Sequence, residues 1–353
     1  MKKARMKRFG SYLIWFLLIF ASSFTINVYL YLLTQTPPLK PRGEGTPFSG
    51  SPVPPAPSEA SRMNARVLTR QLREPYGLTE AADHSIYIVD VERRRKRGLL
   101  YEMQVPLEDT PSGSSQPAIL REVQLKKVKL DFPTDVFFSH DSLYVIDHGE
   151  NDEVLKFKPD GALTRRYHSA KGFQALLSPK VVAVDRESGL VYVGDRGNRR
   201  LVVLNQALEP IRVQSPPKEV AKVFTPNGIT VGPDATLFVS DKSLGRIYRF
   251  ASDGKYIDFF GGYGAEAAGK FLNPAGLDVA PDGTVYVADS DRNLIEIFNK
   301  DGKFLNAWSQ KELGSLFESP RDVLVLSDGK RILVTGGDME KGGVLWLITL
   351  VGE

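Results

Sequence analysis

A proline and an aspartate recur along this chain and place a set of polar side chains at near-regular intervals. The prolines are Pro75, Pro133, Pro179, Pro226, Pro274 and Pro320, spaced 58, 46, 47, 48 and 46 residues apart. The residues that follow them are Tyr76, Thr134, Lys180, Asn227, Ala275 and Arg321. The aspartates are Asp90, Asp147, Asp195, Asp241 and Asp289, with Gly336 in the sixth place. Val91, His148, Arg196, Lys242, Ser290 and Gly337 follow those. If both series reach one rim, the candidate ligand-binding set is Tyr76, His148, Lys180, Arg196, Asn227, Lys242 and Arg321. Four of these are Lys or Arg, a composition that suits an anionic small ligand or a peptide carboxylate.

Other chemistries lack their residues. The chain contains no cysteine, which removes disulfides, thiolate zinc sites and cysteine nucleophiles. A divalent cation needs several oxygen ligands. Asn227 is the one such candidate after a marker proline, with Asp135 and Asp322 one residue further on in their copies. A histidine-bound metal needs several converging imidazoles. Of four histidines, His84 and His140 fall in outer turns, His168 ends a fourth strand, and His148 alone has a plausible position. Spacing assembles no nucleophile–base pair. No cofactor is expected. The five regular aspartates read as turn residues that accept backbone N–H bonds in the turn after them, rather than as a calcium ladder.

The elements that carry these residues are short strands. Residues 271–308, FLNPAGLDVAPDGTVYVADSDRNLIEIFNKDGKFLNAW, contain four β-like runs. Pro281-Asp282-Gly283 and Lys300-Asp301-Gly302 supply the hairpin turns. The unit recurs at 224–260 and 131–167, and in weaker form at 177–213 and 317–350; a first copy begins at Glu74. Near-equal spacing of a four-strand unit is the signature of propeller blades. The sixth copy runs out of chain after three strands. Residues 64–72, NARVLTRQL, alternate like a strand and precede the first copy, so they are expected to close the ring as its missing fourth strand.

The pattern P-x-G-[LIV]-x-V, turn, [YF]-V-x-D, polar residues, [LIR]-x-x-[FY], D-G resembles the NHL repeat. The resemblance covers residues 64–353 and implies an all-β, six-bladed, TolB-like propeller. This family includes scaffolds, RNA and protein binders, and a few enzymes. Related lactonase-like enzymes typically hold a divalent cation with carboxylates and an Asn at comparable loops, and amidating-lyase relatives use histidine-bound metal. The ubiquitin-ligase relatives carry cysteine-rich zinc modules, which a cysteine-free chain cannot have.

Ahead of the repeats lie three further segments. Residues 12–33 are 22 residues without a charge, about 33 Å as a helix, which suits a transmembrane anchor. Lys2, Lys3, Arg5, Lys7 and Arg8 precede it and by the positive-inside rule keep residues 1–11 cytoplasmic, leaving the propeller extracytoplasmic. Residues 34–61 hold eight prolines and read as an extended tether. The domain plan is a basic tail 1–11, an anchor 12–33, a linker 34–61 and a propeller 62–353. The chain's net charge is +4. The five N-terminal cations account for it and leave about −1 for the rest, so nucleic acid is not expected as a partner. The one basic block in the repeats is Arg93–Arg97, in a long first-blade hairpin.

The expected protein is therefore single-pass in the cell membrane, of bacterial-envelope type by resemblance. Its expected partner is a protein, a peptide or an anionic envelope ligand, bound by the propeller as a scaffold module. The alternative is a metal-dependent lyase or lactonase-like hydrolase with its site on the propeller axis.

Overall fold

The computed structural model describes residues 63–105, 120–265, 267–314, 317–338 and 342–351. The expected basic tail, anchor and linker lie outside them. Among the described residues no helix is long and apolar enough to cross a membrane.

Six four-stranded antiparallel sheets form the blades of one propeller. Their innermost strands are Pro75–Glu80, Pro133–Ser139, Pro179–Val184, Pro226–Val231, Pro274–Val279 and Asp322–Val325. Five blades are consecutive in sequence. The sixth takes its outer strand from the start of the ring: Met63–Thr69 pairs antiparallel with Gly342–Leu350, in a register that sets Met63 opposite Leu350 and Val67 opposite Trp346. The expected closing strand is present, and it covers the edge that Gly342–Leu350 would otherwise expose.

Burial follows strand position within a blade. Middle strands have both faces covered and read as nearly continuous apolar runs; Ser85–Val91 is buried throughout. Outer strands alternate, as in Pro210–Gln214, where Ile211 and Val213 face solvent. Side chains from adjacent sheets interlock between blades. Tyr87 stacks on Phe138 between blades one and two, and Trp346 meets Phe317 where blade six packs on blade five. Leu72, Ile88, Leu333 and Leu347 fill the seam where the ring closes.

The marker proline and aspartate are a matched pair. In the first five blades they face each other across the first two strands, as in Pro75 with Asp90 and Pro274 with Asp289. The aspartate accepts the amides just before the proline: Asp90 takes Arg73 and Glu74, Asp147 takes Asp131 and Phe132, and Asp289 takes Leu272 and Asn273. Binding mainly to the following turn, as expected from sequence, is thus corrected. The carboxylate holds the chain as it enters the innermost strand, and Asp241 also takes the amide of Ser243 in the turn that follows it. Blade six has Gly336 in that place. There the backbone satisfies itself, Arg321 N–H donating to Thr335 O and Gly337 N–H to Glu318 O.

Candidate functional site

Because proline faces aspartate in the first five blades, with Gly336 in that place in the sixth, most of the residues that follow the two markers open onto the same end of the ring axis. A cavity of about 690 Å³ runs there, and Tyr76, His148, Lys180, Arg196, Asn227, Lys242 and Arg321 all line it. The sequence-selected residues therefore share one wall.

Tyr76 is the hub of the mouth. The Lys180 Nζ stands 4.6 Å from its ring centroid and the Arg321 guanidinium 5.0 Å. Arg93 donates to the Tyr76 hydroxyl at 2.8 Å and to Glu74 Oε2 at 2.5 Å, and lies over the Phe132 ring. Arg93 belongs to the basic block Arg93–Arg97 of the long first-blade hairpin. The structure brings its first residue into the mouth and leaves Arg94, Arg95, Lys96 and Arg97 exposed.

The cations differ in how they are satisfied. Arg321 donates to the carbonyl of Pro75 at 3.1 Å. The half-buried guanidinium of Arg196 has no hydrogen-bond or ion-pair partner among the described residues. Loss of water pulls its proton affinity down. Desolvation also lowers Lys180, to about 8, against the opposing pull of Asp135, while Arg196 and Arg321 push it further down. Arg196 is thus a desolvated cation left without a partner among the described residues, a state that a bound anion would relieve.

Deeper in the channel lie three carboxylates. Asp135 accepts Val136 N–H and Val182 N–H, both at 2.8 Å. Asp278 accepts Val279 and Val325 N–H and the Thr230 hydroxyl. Asp322 accepts Val323 N–H at 3.0 Å and Leu78 N–H at 3.1 Å. Each ties its own innermost strand to a neighbouring one, where no ladder bonds run. Burial raises Asp135 to about 7 and Asp278 to about 6; it raises Asp322 well above the usual carboxylate range, helped by the charge of Asp135.

This donor set does not fit a divalent cation. Asp135 and Asp322 each accept amides on both oxygens, and Asn227, buried with its Nδ2 donating to Pro274 O at 2.8 Å, would offer a cation a single neutral oxygen. Lys180 and Arg321 hold the neighbouring loop positions. Among the described residues no three His, Cys, Asp or Glu side chains group as metal ligands.

The structure also assembles a pair that spacing did not reveal. His148 Nδ1 lies 2.9 Å from Asp152 Oδ1. Asp152 sits in the turn between the second and third strands of blade two, at φ 48°, and its other oxygen accepts Ser178 N–H at 2.9 Å. When Nδ1 donates to Asp152, Nε2 is the ring nitrogen left to act as a base. Phe132 meets the imidazole edge-on at 6.0 Å between ring centroids. The four-residue separation within HGEND was the available signal, and it is weak outside a helix.

Comparison with known proteins agrees with this architecture. The NHL repeat model matches residues 271–298. A search of curated proteins finds no significant sequence match. Among solved structures, a gluconolactonase from Xanthomonas campestris is similar, with 19% identity and a TM-score of 0.60 over 82% of this chain and 91% of that one. A catalytically inactive histidine-to-alanine variant of virginiamycin B lyase from Staphylococcus aureus, with quinupristin, shows 15% identity and a TM-score of 0.55 over 82% and 99%. A streptogramin B lyase shows 15% identity and a TM-score of 0.55 over 83% and 100%. At such identities the likeness concerns the fold. The chain is a six-bladed β-propeller that carries an NHL repeat.

Proposed function

We propose that the axial mouth is the active site of a hydrolase or lyase acting on an anionic small molecule. The observation that carries this reading is the His148–Asp152 pair on the same cavity wall as the unpartnered Arg196. Lys180 and Arg196 hold the anionic group. His148 Nε2 takes a proton from water, or from an acidic C–H of the substrate, while Asp152 steadies the imidazolium that forms. The cations then oppose the negative charge that develops.

A scaffold role drew its support from the lack of evident chemistry in the sequence, and the His148–Asp152 pair removes that ground. The similar folds named above include a lactonase and lyases, one of them inactivated by loss of a histidine, which supports an enzymatic reading at the level of architecture. Because the donor set does not suit a divalent cation, no step is assigned to one. The test is acid release from a panel of anionic esters and lactones by the full chain in detergent micelles. Turnover that falls at least about 100-fold in His148→Ala, with binding retained, supports the proposal. Equal turnover in the variant would overturn it.

The hydrophobic segment 12–33 supports a further part of this reading, that the propeller is membrane-tethered with its mouth outside. Protease cleavage of the propeller in intact cells or right-side-out vesicles supports that topology; protection there, with cleavage only after lysis, contradicts it.

A further inference from the structure

The axial cavity has a side groove. A second hollow of about 460 Å³ is lined by His148, Ser178, Pro179, Lys180, Arg196, Gly197, Arg199 and Thr225. It shares His148, Lys180 and Arg196 with the axial cavity, so one ligand can span both.

The groove adds a second uncompensated arginine. Residues 195–200 close the hairpin between the second and third strands of blade three, and Arg199 N–H donates to Arg196 O across its tip. Three arginines fall in that short stretch, and their states differ. Arg200 is buried, with Nε on Asp195 Oδ2 at 2.7 Å and Nη2 on Gln174 O. Asn198 donates to the same Asp195 oxygen at 2.8 Å. That carboxylate is therefore used up within the turn. The guanidiniums of Arg196 and Arg199 have no hydrogen-bond or ion-pair partner among the described residues, and no Asp or Glu lines the groove. Arg199 is held at φ 57°, in the left-handed region where a long side chain is uncommon.

We propose that the ligand carries two anionic groups, one seated at the axial mouth by Lys180 and Arg196 and the other in the side groove by Arg199. A planar guanidinium with all its donors unused matches a carboxylate or a phosphate equally, so the shared chemistry is a small molecule with two anionic groups. This rests on the anion-binding reading of the mouth given above and adds the second subsite.

The experiment is calorimetric titration of the full chain in detergent, at fixed ionic strength, with two matched pairs of probes. Gluconate against 6-phosphogluconate tests phosphate as the second group; hexanoate against adipate tests carboxylate. The proposal expects the probe with two anionic groups in at least one pair to bind 10-fold or more tighter than its partner with one, and expects Arg199→Ala to cut that ratio at least 10-fold. A thermal melt of the variant verifies folding, which an exposed side chain is not expected to affect. Equal affinities within both pairs, or a ratio that survives Arg199→Ala, overturns the second subsite alone. Failure of all four probes to bind the unmodified protein overturns the mouth as an anion site, and this proposal with it.

Discussion

His148 Nδ1 and Asp152 Oδ1 lie 2.9 Å apart across the turn that joins two strands of blade two. The same aspartate receives the amide of Ser178 from the segment leading into blade three. One carboxylate thus orients the proposed base and also fixes the loop beside Lys180. Asp152→Asn keeps the size of the side chain but cannot hold a proton on Nδ1 with an ionised acceptor. Turnover is expected to fall about 100-fold or more with little change in KM, read from steady-state kinetics on the best substrate of the ester and lactone panel. A change confined to KM contradicts the assignment.

Gly77 and Asp135 occupy one space. A Cβ on Gly77 would come 2.0 Å from Asp135 Oδ1 and 2.7 Å from its Cα, distances no side chain tolerates. Gly77→Ala is expected to destabilise the propeller by about 1–3 kcal/mol, as overpacking does. Combining it with Asp135→Ala should recover part of that loss, a non-additivity measurable in a denaturant double-mutant cycle.

Removal of Met63–Thr69 strips the outer strand from blade six and bares the Gly342–Leu350 edge. A thermal midpoint at least about 10 °C lower is expected, since each kcal/mol moves a domain of this size by about 2–4 °C. Light scattering should show association through the open edge.

Glu296 is buried beside Arg292, at 2.5 Å, with its Oε2 unpartnered, and burial lifts its proton affinity to about 7. The folded state therefore holds a proton that the unfolded chain gives up above about pH 4.5. Its contribution to stability is complete below that pH and is lost as pH rises through about 7. The urea midpoint should fall between pH 5 and pH 7.5, and Glu296→Gln should flatten the fall.

Much of this molecule was legible because a blade is a local unit. The proline and aspartate series gave the register. Their partnership across two strands explains why the seven residues that sequence singled out after them reach one cavity. The closing strand was legible for the same reason, since a sixth copy lacking its outer strand needs one from elsewhere. What escaped sequence depends on turns and on neighbouring blades. Asp152 reaches His148 only because it adopts φ 48° in an irregular turn. Arg93 enters the mouth by leaning across Phe132 of the next blade. Asp135 and Asp322 looked like spare ligands, yet they serve the amides of Val182 and Leu78 in adjacent blades, contacts that no local pattern encodes.

The most direct test of the axial mouth as the active site is a crystal structure of the protein with its best anionic substrate analogue. The account predicts density touching Arg196 and Lys180, with the reacting atom or an attacking water within about 3.2 Å of His148 Nε2. An analogue bound elsewhere on the propeller, or one at the mouth that leaves His148 beyond reach of both itself and an ordered water, would contradict it.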